Sequence, residues 1–206
     1  MDARIATLAG ADALGLNFYE YSSRCIPIAV AEQIAAEARD RSVKVGVFVN
    51  AAVEKVIETA DRVKLDWVQL HGDEPPEMLA ALGSRQIIKA FRIKDGDLSA
   101  AVSYLDECRR LGRLPDSVLL DGYQEGEYGG TGTVADWKAI GDARSVLGDL
   151  PLILAGGLTP FNVEEAIKAV RPVAVDTASG VESKPGQKDP MLLRAFVSAA
   201  RKGFAS

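Results

Sequence analysis

Short apolar runs alternate along this chain with longer segments whose apolar positions recur at helical spacing. The runs Ala13–Phe18, Val43–Val49, Trp67–Leu70, Ile87–Phe91, Val118–Leu120, Leu152–Ala155 and Val173–Asp176 are brief and rich in β-branched residues or leucine. Strands buried on both faces have that character. Between them, residues 28–38, 51–63, 76–82, 98–111, 134–141, 162–170 and 190–202 read as helices, and the chain opens in a helical pattern at Met1–Ala6. Strand followed by helix, repeated, predicts a parallel sheet joined by right-handed crossovers.

A parallel sheet of this kind closes as a (β/α)8 TIM barrel, here with seven strands recognisable and no strand ahead of the first helix. The length of 206 residues suits one domain spanning 1–206, and neither a linker nor a low-complexity stretch divides it. A chain that is 48% hydrophobic has ample core, and a net charge of −5 without a basic cluster argues against a nucleic-acid partner. No run reaches the length of a membrane span, and Met1–Gly10 has no signal-peptide character. Two cysteines, Cys25 and Cys108, and one histidine, His71, exclude a multi-imidazole metal site and fit a reducing cytoplasm.

Catalytic groups of such barrels lie at the carboxyl ends of strands. Asp121 ends the run Ser117–Asp121, where a general acid could reach a substrate; a helix cap or loop ion pair is the plain alternative. The loop Gly129-Gly130-Thr131-Gly132 reads as a flap over the same face. Two successive strands end in glycine turns, at Gly156-Gly157 and at Asp176-Thr177-Ala178-Ser179-Gly180. Backbone N–H groups in such turns cradle phosphate, with the Ser179 hydroxyl as a further donor; otherwise both are left-handed turns. Arg24 offers a bidentate partner for a carboxylate, or is a solvated arginine. His71 either lines the pocket or is a satisfied histidine near the core. Asp176 orients a substrate hydroxyl or anchors the phosphate loop. Lys188 and Asp189 read as surface charge and helix cap, Cys25 as inert packing and Cys108 as structural.

In order and spacing these motifs resemble the phosphoribosylanthranilate isomerase family of tryptophan biosynthesis. The resemblance is carried by Gly10–Gly15, Tyr21-Ser22-Ser23-Arg24, Val45–Asn50, Val68-Gln69-Leu70-His71-Gly72, Ile88-Lys89-Ala90 and Leu119-Leu120-Asp121. It continues through Gly129–Gly132, Leu154–Leu158, Asp176–Glu182 and Pro185–Asp189. It implies an Amadori rearrangement of N-(5-phosphoribosyl)anthranilate to 1-(2-carboxyphenylamino)-1-deoxyribulose 5-phosphate, the third step from chorismate to tryptophan. It implies Asp121 as general acid and Arg24 as the anthranilate carboxylate's partner. Gly156, Gly157, Ser179 and Gly180 would hold the phosphate, and His71 and Asp176 stay candidates for substrate contact from their places at strand ends. No cofactor or metal is implied, and the partner is the phosphosugar itself, bound by a monomer or homodimer. The family's base is a cysteine on a strand that would precede the first helix, in a Lys-Ile-Cys-Gly-type motif. Met1 is therefore expected to be an internal methionine of a longer protein, and the chain on its own to turn over slowly, since losing a general base costs ~10²–10⁴ in rate. A phosphosugar-binding barrel without catalysis, and another phosphosugar enzyme such as an epimerase or indole-glycerol-phosphate synthase with Lys89 at its centre, are the competing readings.

Overall fold

The computed structural model describes residues 1–38, 41–94, 96–122 and 143–206. The expected flap at Gly129–Gly132 and the expected helix at 134–141 lie outside the described residues. Contacts divide the chain into two units: residues 1–90 with 104–116, and 91–103 with 117–206.

The first unit begins with α1 (Asp2–Ala9) and β1 (Ala13–Asn17), then α2 (Ile28–Ala38), β2 (Val43–Phe48), α3 (Val53–Val63), β3 (Trp67–Leu70) and α4 (Glu77–Ala81). β4 (Gln86–Ile93) and α5 (Ser99–Leu111) begin or end in it. β1, β2, β3 and β4 pair in that order, all parallel, with Gly46 opposite Val68 and Leu70 opposite Lys89. α3 shows why these segments fold as they do: Val56, Thr59, Ala60 and Val63, spaced three and four residues apart, are its buried positions, while Glu54 and Arg62 stay on the far face. Val56 and Ala60 of that stripe join Phe48, Val68, Leu70, Leu79, Leu82 and Ile87 in one core, Val63 joins Leu16, Ala31 and Ala35 in another, and Phe18 stacks on Phe48 at 5.2 Å.

The second unit holds β5 (Ser117–Gly122), α6 (Arg144–Leu147), β6 (Leu152–Ala155), α7 (Val163–Val170) and β7 (Ala174–Val175). A 3₁₀ turn (Ser179–Val181), a small hairpin of β8 (Glu182–Lys184) and β9 (Gln187–Lys188), and α8 (Pro190–Phe204) follow. β6 pairs in parallel with β5 and with β7. α7 repeats the stripe of α3, burying Val163, Ala166, Ile167 and Val170. Gly203 of α8 leaves the space Ile167 needs: a Cβ there would stand 3.1 Å from that side chain. Asp189 caps α8 as expected, accepting N–H bonds from Met191 and Leu192 ahead of Pro190 in the first turn.

The amino-terminal ends of the strands are tied by side chains to backbone. Asp66 accepts the N–H of Lys44 at 2.7 Å and also pairs with its ammonium. Asp116 accepts the N–H of Ile87 at 2.9 Å and the guanidinium of Arg113, which also donates to the Arg85 carbonyl. Ser42 donates to the Ala11 carbonyl, and in the second unit Ser117 donates to that of Pro151. The carboxyl-terminal ends run into the loops that carry the candidate chemistry.

Seven strands match the expected runs to within a few residues at each end. The 3₁₀ turn, the β8–β9 hairpin and the short α6 were not foreseen, because each is set by local hydrogen bonds rather than by an apolar period.

Candidate active site

In the second unit the expected acid and the first expected anion turn lie side by side. Asp121 is half-buried near the end of β5 and stands opposite Ala155 in the ladder, so the next residue, Gly156, reaches the same rim. Gly156 has φ 93°. A Cβ on it would overlap the backbone of Gly122 and come within 2.7 Å of Asp121 Oδ1. Glycine at 156 is therefore a condition for the place of this carboxylate as well as for the turn. Gly157 continues the turn at φ 62° with open space around its missing side chain, which is the form a backbone needs to let an anion approach.

The turn is braced from behind. Asn162 donates to the Gly157 carbonyl at 3.0 Å and accepts the N–H of Thr159 at 2.7 Å. The second turn follows β7. Asp176 is exposed, and its N–H bonds to the Leu154 carbonyl. The Thr177 hydroxyl donates to the Leu158 carbonyl at 2.7 Å, drawing the two turns together. Gly180 is pressed against the same carbonyl, where any Cβ would collide with it. Ser179 is exposed on this turn. Lys188 departs from the expected surface charge. Its ammonium donates to the Ala178 carbonyl at 2.7 Å and pairs at 3.1 Å with Glu182, a carboxylate only 4% exposed. The β8–β9 hairpin folds Lys188 back under the turn, which no periodicity could announce.

In the first unit, Arg24 is half-buried in the loop after β1. Ser22 organises that loop: its Oγ accepts the N–H of Arg24 at 3.1 Å and a bond from the Asn17 amide, while Asn17 Oδ1 accepts the N–H of Tyr19. Cys25 bridges to Asn17 through its backbone, and the residue is exposed rather than packed, because the bridge uses the main chain and leaves the side chain outside. Cys108 is buried in α5, as expected, and burial foremost, then the Glu107 carboxylate, pushes its thiol up to about 11. A thiol-specific reagent at neutral pH is accordingly expected to modify one thiol per native chain, lost in Cys25→Ser, and two after denaturation. Two fast-reacting thiols in the native protein would contradict this burial.

His71 directly follows β3, half-buried. Its N–H donates to the Phe48 carbonyl at 2.8 Å, and its Nδ1 meets the Gln69 amide nitrogen at 2.8 Å. Beneath it lies a charged pair not foreseen among the candidates. Lys89 and Glu74, with side chains 3% and 1% exposed, pair at 2.9 Å. Lys89 belongs to one of the motifs that carry the resemblance, but its only expected role was as the interior strand lysine of a competing enzyme. Its ammonium is engaged by Glu74 and by the carbonyls of Gly72 and Leu70, and stands 5.5 Å from the centroid of Tyr104, whose phenol burial pushes well up. A lysine inside the apolar run Ile87–Phe91 was the available signal; its partner, between Asp73 and Pro75, looked like an ordinary surface acid.

Parallel strands each followed by a helix, with an acid and two glycine turns at one rim of the second unit's sheet, place the chain in the class of (β/α)-barrel proteins. The family model described as N-(5'phosphoribosyl)anthranilate (PRA) isomerase matches residues 1–199. The N-(5'-phosphoribosyl)anthranilate isomerase of Geobacter metallireducens is 46% identical over 200 residues, covering 97% of this chain and 93% of that protein. The crystal structure of phosphoribosyl anthranilate isomerase from Thermotoga maritima, 39% identical, superposes with a TM-score of 0.85 over 97% of this chain and 93% of that one. Another isomerase of this name, solved with reduced 1-(o-carboxyphenylamino)-1-deoxyribulose 5-phosphate, gives a TM-score of 0.81 at 36% identity, over 97% and 92%. This chain belongs to the N-(5'-phosphoribosyl)anthranilate isomerase family.

Proposed function

We propose that this protein isomerises N-(5-phosphoribosyl)anthranilate to 1-(2-carboxyphenylamino)-1-deoxyribulose 5-phosphate in tryptophan synthesis. The observation that carries the reading is Asp121 lying against the Gly156 turn at the carboxyl rim of β5 and β6. An acid there can protonate the ring oxygen of a sugar whose phosphate sits in the adjoining turns, and the C1–O bond then breaks to give a protonated Schiff base. Loss of the C2 proton to a base yields the enol-amine, which becomes the amino-ketose; C1 is reduced as C2 is oxidised, and no outside redox partner enters.

The turns Gly156–Gly157 and Ser179–Gly180 take the phosphate, and Asp176 faces the sugar. Arg24 pairs with the anthranilate carboxylate, and His71 donates to the substrate. Neither Cys25 nor Cys108 is assigned the base, which the family resemblance places on a cysteine outside this chain's motifs. The family match runs through residues of both units, which supports treating the chain as one catalytic domain. A monomer or homodimer fits, since the Thermotoga maritima relative is described as dimeric and has been made monomeric.

The test is growth without tryptophan of a strain lacking the isomerase, given the natural gene with its whole reading frame, together with turnover of the purified substrate. Growth and turnover are expected, and Arg24→Ala is expected to raise KM about tenfold or more, a charge-assisted hydrogen bond being worth ~1.5–3 kcal/mol. Tight binding of the phosphosugar with neither growth nor turnover would overturn the enzyme reading in favour of a non-catalytic barrel.

A further inference from the structure

We propose that Glu74 and Lys89 are positioning residues: a buried charge clamp that holds the Gly72 peptide and so presents His71, with Gln69 setting the tautomer of its ring. The substrate-facing role of His71 rests on the isomerase reading; the clamp rests on geometry. Glu74 accepts the N–H of Gly72 with both carboxylate oxygens, at 3.1 and 3.0 Å, and that of Asn50 at 2.9 Å. Lys89 donates to the carbonyl of the same Gly72 at 2.6 Å. The two charges thus grip both polar groups of one residue, the neighbour of His71, while bonding to each other at 2.9 Å. Asn50 closes the loop from the other side by accepting the N–H of Asp73 at 2.7 Å, and Gly72 fits so tightly against Asn50 that a Cβ would collide with it.

Stability alone is a poor account of this pair. Taking two charges out of water costs about as much as their attraction returns, and apolar residues of the same volume generally serve a core as well or better. Such a pair does fix geometry, and every polar atom named here ends on the loop that carries His71. Gln69 adds the chemical state. An amide nitrogen only donates, so its bond to Nδ1 makes Nδ1 the acceptor and leaves the ring proton on Nε2, the nitrogen free of that bond. The imidazole is thereby set as a donor through Nε2.

The chain has a single histidine, so its imidazole gives one unambiguous pair of ¹⁵N resonances. In the substrate-free protein at neutral pH, Nδ1 is expected at the shift of an unprotonated acceptor nitrogen and Nε2 at that of an N–H. Glu74→Gln and Lys89→Met are expected to move or split both signals, and to lower kcat/KM roughly 10- to 100-fold by misplacing a substrate contact. In a His71→Ala background, Glu74→Gln should change kcat/KM by less than about threefold, because nothing remains to be positioned. Glu74→Asp, which keeps the charge but withdraws it by one methylene, makes the same comparison if the neutral variants do not fold. A ring proton found on Nδ1, imidazole signals unmoved in the folded variants, or losses that multiply in the double variant would each overturn the proposal. Absence of turnover in the protein made from the whole reading frame would instead sink the isomerase reading and leave the spectroscopic comparison standing.

Discussion

Asp121→Asn is expected to lower kcat by ~10²–10⁴, the usual worth of a positioned general acid, while leaving the melting temperature within a few degrees of the parent. Asparagine keeps the size of the side chain and its place beside Gly156, so the fold has little reason to respond. What is lost is the proton that must reach the ring oxygen as the C1–O bond breaks. Binding should survive, and KM or the affinity for a product analogue should change far less than kcat. Steady-state kinetics beside a thermal melt make the measurement. A variant that turns over within a fewfold of the parent would remove Asp121 from the chemistry.

The second large effect is expected from Gly156→Ala. A left-handed φ of 93° costs a non-glycine residue ~1–3 kcal/mol, and overpacking against the Gly122 backbone adds about 1–3 kcal/mol more. A combined loss of roughly 2–6 kcal/mol is a large share of a domain's usual ~5–15 kcal/mol. Because the new methyl would also meet Asp121 Oδ1, kcat should fall even in the fraction that remains folded. Gly157→Ala is the internal control: its φ of 62° is strained but its surroundings are open, so the stability loss should be only ~1–2 kcal/mol. Chemical denaturation of the pair decides it; equal losses at the two positions would contradict the packing described for Gly156.

How much of this was legible beforehand follows from which forces write themselves into periodicity. Strands such as Trp67–Leu70 and Leu152–Ala155, and the helix Ile28–Ala38, were read to the residue because burial on two faces or one stripe imposes a pattern visible in the chain itself. Asp121, Arg24, His71 and the glycine turns were legible as candidates because chemistry of this kind sits where apolar runs stop. The supports beneath them were not. Glu74 and Lys89 are 15 residues apart in the chain and come together only through the pairing of β3 with β4. Lys188 reaches Ala178 only because a hairpin of a few residues turns it back. Contacts made by folding across sequence leave no local period, so the reading found the candidate groups at the strand ends and missed those that hold them.

The bonds from Asp66, Asp116 and Ser42 in the first unit, and from Ser117 in the second, to neighbouring backbone anchor the strands at their amino-terminal ends. Part of the resistance to heat is thereby set at strand ends that carry none of the candidate groups. Loops at the carboxyl rim can be exchanged in a laboratory, or drift in a lineage, without loosening that anchoring, and reinforcing the opposite rim can raise the tolerated temperature without retuning selectivity.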